Sequence, residues 1–292
     1  MGIWNALFGG RQLSAEEEKE EQEAKKFDLL KYDGVKALKI GRADYAERCF
    51  REALKLRDDL EVHEYLSQSL LRMGQLDEAQ AELQQLAQAQ PQNVSIQQHI
   101  AQVAYMREDY AAMSEACERC LQIDADNVQA YYLSAQAQQA QHNPVAAIAM
   151  LTKAVSLKSD FAEAYLLRGQ ILLEMGDAKS ADDDVAWLDE NVGEHEDVLL
   201  LKARTQAAMG QAEEAADTYA KLIEVNPFSI EAYRERGQIR YDRGDKAGAE
   251  ADMQKVLELD PNSLADVSGD YSAEGIEERV RQAYSAVNPL GL

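Results

Sequence analysis

Residues 230–263 read IEAYRERGQIRYDRGDKAGAEADMQKVLELDPNS, and the same pattern recurs along most of the chain. Apolar residues fall at helical spacing on both sides of Gly244, and Pro261 follows the second segment. Glycine adopts the left-handed conformation of a tight turn at little cost, and proline cannot continue a helix. The stretch therefore predicts a helix, a turn and a second helix that stops at the proline.

Units of this kind follow one another at a spacing of about 34 residues. Small residues such as Gly237 and Ala249 stand where the two helices of a unit cross, which lets their backbones approach closely. Five units place glycine at the turn, whereas Glu108 and the run His142-Asn143-Pro144 stand there in two others. The units that we assign are 27–59, 60–93, 94–127, 128–161, 162–195, 196–229 and 230–263.

This pattern resembles the tetratricopeptide repeat, on positions such as Tyr233, Gly237, Ala249 and Pro261 of the last unit. The resemblance implies an all-α fold, a right-handed superhelical α-solenoid of antiparallel helix pairs. It also implies a concave groove lined by the first helix of each pair. The role implied for such a protein is to hold peptides or other proteins for assembly.

The charge balance limits the choice of partners. The chain has 30 Lys and Arg against 53 Asp and Glu, a formal net charge of −23. Phosphate backbones are repelled by such a surface, so we expect no nucleic acid partner. We interpret the carboxylates as a solvated convex face, with attraction of a basic ligand as the alternative. The three cysteines are too few for a disulfide framework, which favours a reducing, cytoplasmic location.

Three segments are expected along the chain. Residues 1–26 form an N-terminal hydrophobic hook and a charged helical lead-in, residues 27–263 the seven-repeat array, and residues 264–292 a linker with a C-terminal capping helix. Ser14 and Glu17 have the spacing of a capping box, which predicts that the lead-in helix begins there. The last segment either caps the seventh unit or occupies the groove of its own or a neighbouring chain, so self-association is left open.

The first ten residues, MGIWNALFGG, place Ile3, Trp4, Leu7 and Phe8 at helical spacing. Their apolar part is too short to span a membrane. The segment is interpreted either as a disordered or back-folded tail or as a small hook for a membrane surface or partner. Membrane contact is not expected beyond a peripheral one through Trp4 and Phe8.

Few residues suggest chemistry. Cys117 and Cys120 have the spacing of a metal or redox pair but occupy apolar positions of a second helix, which predicts buried thiols. The four histidines have no carboxylate or thiol partner at ligand spacing, and Asp182 to Asp184 are read as a solvated face. We therefore predict no catalytic residues, no metal site and no cofactor, and hence no enzyme.

A polar residue follows the small residue of each first helix from the second unit to the seventh. The resemblance implies that this position faces the groove, where an amide can both donate and accept hydrogen bonds. Three tyrosines are expected near it. The alternative is that the amides only reflect the consensus polarity of the repeat. The candidate peptide-binding groove consists of Gln68, Gln102, Tyr105, Tyr132, Gln136, Gln170, Arg204, Gln238 and Tyr241.

Two functions follow from these observations. The first is a non-catalytic scaffold that binds a peptide or protein segment in the concave groove. The second is a structural or assembly adaptor, docked through its N-terminal hook or by self-association, whose own tail fills the groove. A co-chaperone is a minor alternative, because the carboxylate clamp of chaperone-binding members is not matched: Val35 follows Lys31 and Gln238 follows Arg234 at the four-residue spacing where asparagine is needed.

Overall fold

A computed structural model describes residues 14–260, and within that range the chain forms helices and turns only. In six pairs the first helix packs on the second helix that follows it in the chain: α1 on α2, α3 on α4, α5 on α6, α9 on α10, α11 on α12 and α13 on α14. The predicted all-α class and its antiparallel helix pairs are confirmed. The described helices are α1 (Ala15–Lys39), α2 (Ala43–Leu56), α3 (Leu60–Arg72), α4 (Leu76–Ala89), α5 (Val94–Met106), α6 (Tyr110–Ile123), α7 (Val128–Ala140), α8 (Pro144–Leu157), α9 (Ala162–Glu174), α10 (Ala178–Asn191), α11 (Glu196–Ala208), α12 (Ala212–Val225), α13 (Ile230–Asp242) and α14 (Lys246–Leu259).

Helix α1 differs from the other first helices in length. It has 25 residues, whereas α3 has 13, because the charged lead-in continues into the first repeat without a break. The predicted capping box is present at its start. The Glu17 N–H donates to the Ser14 hydroxyl at 3.2 Å, and the Ser14 N–H donates to the Glu17 carboxylate at 2.8 Å. These bonds satisfy backbone donors that the first helical turn leaves unpaired.

The turn inside each pair contains a residue in the left-handed backbone conformation. Gly74 has φ 71° and Gly176 has φ 79°, values that glycine adopts without a steric penalty. Glu108 with φ 57° and His142 with φ 61° take the same conformation although each has a Cβ atom. The repeat spacing therefore predicted both turns correctly, although neither has a glycine.

The first of two compact units extends to Leu133 and contains α1 to α6 and the start of α7. Its described core is apolar, with Phe27, Phe50 and Leu66 each exposed by at most 1%. Phe50 on α2 stacks on Tyr65 of α3 at a ring distance of 5.6 Å, which joins the first pair to the second.

The second unit begins at Ser134 and contains the rest of α7 and α8 to α14. Apolar clusters lie between its helices, one built around Leu199, Tyr219 and Leu222. The second unit also buries carboxylates: Asp184 and Asp252 are each 2% exposed. The solvated-face interpretation is therefore wrong for Asp184, which lies on the inner side of α10.

Several sequence predictions concern residues outside the described range. The hydrophobic hook with Trp4 and Phe8 lies there, as do the linker and the capping helix expected in residues 264–292. The adaptor hypothesis depends on those segments. Among the described helices none is long and apolar enough to cross a membrane.

Candidate peptide-binding surface

In the first unit the predicted site residues lie on α3, α5 and the start of α7. Gln102 and Tyr105 are separated by one helical turn of α5, and both are exposed, Tyr105 by 47%. Gln68 on α3 and Tyr132 on α7 are half-buried. The first helices of this unit therefore present amide and phenol groups at its surface.

Helix α5 has no charged side chain, although 28% of the residues in the chain are charged. Its most exposed side chains are Gln102, Tyr105 and Met106. The buried centres of protein interfaces are enriched in tyrosine and methionine and depleted in lysine, glutamate and aspartate. The exposed side of α5 thus has the composition of a contact surface rather than of an ordinary solvated helix.

A neighbouring amide on α5, that of Gln98, forms a contact between helices. The Gln98 side chain donates to the Asn127 side-chain oxygen at 3.1 Å, and the same oxygen accepts the backbone N–H of Ala130 at 2.9 Å. Gln98 therefore ties α5 to the N-terminal cap of α7. This contact fixes the position of the helix that displays Gln102.

In the second unit Gln170 is exposed, and Gln136 and Gln238 are half-buried. Gln238 donates to Asp242 on its own helix at 3.0 Å. Tyr241 is half-buried and packs against the cluster that contains Tyr233. Each unit therefore has its own predicted site residues, and a peptide-binding groove formed by all of them stays a prediction.

Arg204 occupies one of the predicted groove positions but forms a structural ion pair. Its guanidinium donates to Glu235 on α13 at 2.9 and 2.5 Å, and the Tyr219 hydroxyl donates to the same carboxylate at 2.5 Å. These hydrogen bonds raise the pKa of Arg204, and burial raises the pKa of Tyr219 well above its usual value. The contact joins α11 to α13, so the Arg204 side chain holds two helices together.

Two arginine–aspartate pairs join the helices of single repeats, and the sequence interpretation missed both. Arg168 donates to Asp184 at 3.0 and 2.5 Å, and Arg236 donates to Asp252 at 3.0 and 2.6 Å. Burial raises the pKa of Asp184, against the effect of the Arg168 hydrogen bonds. The two pairs occupy equivalent positions two repeats apart. That recurrence is a signal from which the sequence could have revealed them.

His63 also has partners that local spacing did not reveal. Its Nδ1 lies 2.5 Å from Glu82 on α4, and its Nε2 lies 2.8 Å from Asp58 just before α3. Burial lowers the pKa of His63, but the two carboxylates outweigh it and raise the pKa above its usual value. Within residues 14–260 no group of three or more His, Cys, Asp and Glu side chains is arranged to hold a metal ion.

Cys117 and Cys120 are buried free thiols on α6, as predicted. Burial raises the pKa of Cys117 to about 12 and that of Cys120 to about 11. The Cys120 thiol donates weakly to the Val94 carbonyl at 3.8 Å. Both side chains therefore behave as small apolar groups.

Residues 65–128 and 200–263 match the tetratricopeptide repeat family. A tetratricopeptide repeat protein from Parabacteroides merdae superposes with a TM-score of 0.65 at 16% identity, over 89% of this chain and 99% of that one. YrrB, described as a tetratricopeptide repeat protein with an unusual peptide-binding site, superposes with a TM-score of 0.54 at 15% identity, over 62% of this chain and 94% of YrrB. Residues 65–128 and 200–263 thus contain tetratricopeptide repeats, and the described helices have the fold of such repeats. This fold indicates a protein–protein interaction scaffold.

Matching curated relatives have the name DnaJ homolog subfamily C member 3. The DnaJ homolog subfamily C member 3 of Mus musculus is 32% identical over 151 residues, which cover 47% of this chain and 30% of that protein. The Gallus gallus protein of the same name is 23% identical over 282 residues, covering 85% of this chain and 56% of that protein. The chain spans about half the length of these relatives, or less.

Proposed function

We propose that this protein is a non-catalytic scaffold that holds a peptide or protein segment against the exposed side of its first helices. The observation that supports this most strongly is α5, a helix without charges in a chain of net charge −23 that exposes Gln102, Tyr105 and Met106. We place the main contact there, in the first unit. Gln68 and Tyr132 extend the same surface.

The chemistry of this surface suits an extended main chain. Glutamine can donate to a peptide carbonyl and accept from a peptide N–H, so it places little demand on the ligand sequence. Tyrosine adds a large flat contact at low entropic cost. With no ionic group on α5, attraction through opposite charge contributes little. We therefore expect an affinity near the micromolar range, about 8 kcal/mol, that depends weakly on salt.

Random peptides displayed on phage and selected on the full chain provide ligands without knowledge of the natural partner. Fluorescence anisotropy then compares the wild type with a Gln102→Ala, Tyr105→Ala double variant. We expect the double variant to bind the selected peptides at least roughly tenfold more weakly, a loss of about 1.4 kcal/mol. Affinity should change little between ~0.1 M and ~1 M salt, where the Debye length falls from about 10 to about 3 Å.

The matched control is Gln122→Ala, which removes an exposed glutamine from the second helix α6. It should bind the peptides as tightly as the wild type. If the double variant binds equally well, or if the control loses as much affinity, the contact does not lie on α5 and the proposal is contradicted.

A co-chaperone is the second candidate, supported by the similarity to the DnaJ homolog subfamily C member 3 proteins. This function predicts that the chain suppresses aggregation of an unfolding client enzyme. It also predicts that the Gln102→Ala, Tyr105→Ala variant suppresses aggregation less well. A chain with no effect on aggregation, but with normal binding of selected peptides, would leave the scaffold function alone.

The proposed scaffold acts on protein partners in the cytoplasm and without a cofactor. Two observations support this part of the proposal. The net charge of −23 disfavours phosphate backbones as ligands, and the thiols of Cys49, Cys117 and Cys120 are free and buried. Electrophoretic mobility shifts with RNA and DNA provide the check, and binding at physiological salt would contradict it.

A further inference from the structure

The outward side of the first helix pair exposes apolar side chains that later repeats bury. Leu29 on α1 is 60% exposed and Tyr32 is 65% exposed. The residue that corresponds to Leu29 one repeat later is Val62, which is fully buried. The same position is buried in every further repeat, as Ile96, Ala130, Ala164, Val198 and Ala232.

The position of Tyr32 gives the same result. Its counterpart Tyr65 stacks on Phe50 of the preceding pair. The next residues on this side of α1, Asp33 and Lys36, border an open cavity of about 330 Å³ between α1 and α2. Leu29, Tyr32 and this cavity form what we call the leading face, whose equivalents in later repeats pack against the preceding pair.

The length of α1 explains why no described residue covers the leading face. By the repeat spacing, residues 10–23 correspond to the second helix of a preceding pair. Instead, residues from Ala15 onward continue α1 as one helix, and from Glu16 to Lys26 they are mostly exposed. In the part of the chain that the structure describes, nothing therefore occupies the place of a preceding helix.

We propose that residues 3–8 of the same chain dock on the leading face and cap the first repeat. Ile3, Trp4, Leu7 and Phe8 form one apolar stripe at helical spacing. The stripe complements Leu29 and Tyr32, which are separated by one turn on α1. The inference is independent of the proposed function, because the peptide surface on α5 belongs to other residues.

The length of the segment fits this arrangement. Leu29 lies about 22 Å along α1 from Ser14, at 1.5 Å per residue. Residues 9–13 span up to about 17 Å when extended, and Gly9 and Gly10 permit a reversal of direction. A short helical run from Phe8 back to Trp4 adds about 6 Å, which brings the indole to the level of Leu29.

The two tryptophans of the chain, Trp4 and Trp187, allow a direct test on the full-length protein. Trp187→Phe leaves Trp4 as the only indole and keeps an aromatic ring on Tyr165, with which Trp187 stacks at 4.0 Å. In this background we expect the emission of a shielded indole, with weak quenching by acrylamide. Adding Leu29→Asp and Tyr32→Ser should shift the emission to that of an exposed indole and raise quenching severalfold.

The control is Val145→Asp in the same background, since Val145 is 69% exposed on α8 and belongs to another surface. It should leave the emission unchanged, and circular dichroism reports the fold of every variant. Emission of an exposed indole in the Trp187→Phe protein would overturn the proposal, as would shielding that Leu29→Asp and Tyr32→Ser do not remove. Shielding that disappears on dilution would assign the leading face to a second copy and would also overturn it.

Discussion

The two units place a carboxylate at the same repeat position and stabilise it in different ways. In the first unit this residue is Glu82, whose side chain is 21% exposed and contacts His63. In the second unit it is Asp184, which is 2% exposed and receives two hydrogen bonds from Arg168. The position of Arg168 is held by the buried Leu66 in the first unit.

This difference separates two properties of the repeat. The small residues and the turn determine where two helices cross, because they set how closely the backbones approach. They do not determine whether the crossing is filled by apolar side chains or by an ion pair. A buried ion pair contributes little net stability compared with apolar packing, but it makes each partner indispensable to the other.

Removing Arg168 should have the largest effect. Arg168→Met leaves the Asp184 carboxylate buried without a cation, and the free energy of unfolding should fall by about 3–5 kcal/mol. The double variant Arg168→Met, Asp184→Leu should recover most of this loss, because an apolar pair can replace an ion pair of similar volume. Chemical denaturation followed by circular dichroism measures both. A double variant as unstable as the single one would contradict the explanation by an unpaired charge.

The next largest effect is expected from replacing a glycine at a helix crossing, and it should be larger in the first unit than in the second. A Cβ atom on Gly34 would meet the ring of buried Phe50, whereas one on Gly169 would meet a Leu201 methyl carbon at 2.8 Å. The Leu201 methyl group can rotate away, but the aromatic ring is held by its neighbours. Gly34→Ala should therefore destabilise by about 1–3 kcal/mol and Gly169→Ala by less. Thermal denaturation of both variants provides the measurement, and a reversed order would show that the first crossing has room.

Substitutions at the turns should change the free energy of unfolding by about 1 kcal/mol, with opposite signs in the two units. Glu108→Gly relieves a left-handed non-glycine residue in the first unit and should stabilise the protein by up to about 1 kcal/mol. Gly176→Ala introduces such a residue in the second unit and should destabilise it by about as much. Midpoints of urea denaturation decide between these signs. Equal and small changes in both variants would mean that neither turn is strained.

A smaller effect concerns the pH dependence of stability that His63 gives to the first unit. The raised pKa of His63 means that its contribution to stability is complete below its usual pKa, near 6.5. The contribution is lost as pH rises through the raised value. Between about pH 6 and pH 9 the wild type should therefore lose stability that His63→Gln does not lose. The free energy of unfolding at the two pH values tests this, and parallel pH profiles would contradict the ion pair with Glu82 and Asp58.

The exposed amides should have the smallest effect on stability. Gln102→Ala in the first unit and Gln170→Ala in the second should each change the free energy of unfolding by less than about 0.5 kcal/mol. Both side chains are exposed on first helices, so their removal leaves the cores intact. Denaturation curves that overlay the wild type are the expected result. A large loss at either position would show that the residue is used for packing, as Gln98 is.

Much of the fold could be predicted from the sequence because the signal is repeated. A single turn such as Glu108 or His142 gives no local sign of a left-handed residue, but its distance from Gly74 and Gly176 does. The capping box at Ser14 and the buried thiols of α6 followed from equally local rules. In each case the spacing between residues was enough.

Contacts between distant residues were harder to predict. Arg168 and Asp184 meet because two helices cross, and nothing in the 15 residues between them marks the contact. Arg204 followed the spacing of the glutamines but is bound to Glu235, 31 residues away. The periodic pattern indicates the face of the helix on which a side chain lies. The pattern does not reveal whether a side chain of opposite charge lies on the next helix.

Burial of the cysteines has a practical consequence for labelling. All three thiols of the chain are buried, and burial raises the pKa of each. Since alkylating reagents react with the thiolate, the native cysteines are poor targets in the folded protein. A cysteine introduced in place of an exposed residue such as Gln122 should react first with a maleimide dye. Fluorescent and spin probes can thus be attached at chosen sites without replacing the native cysteines.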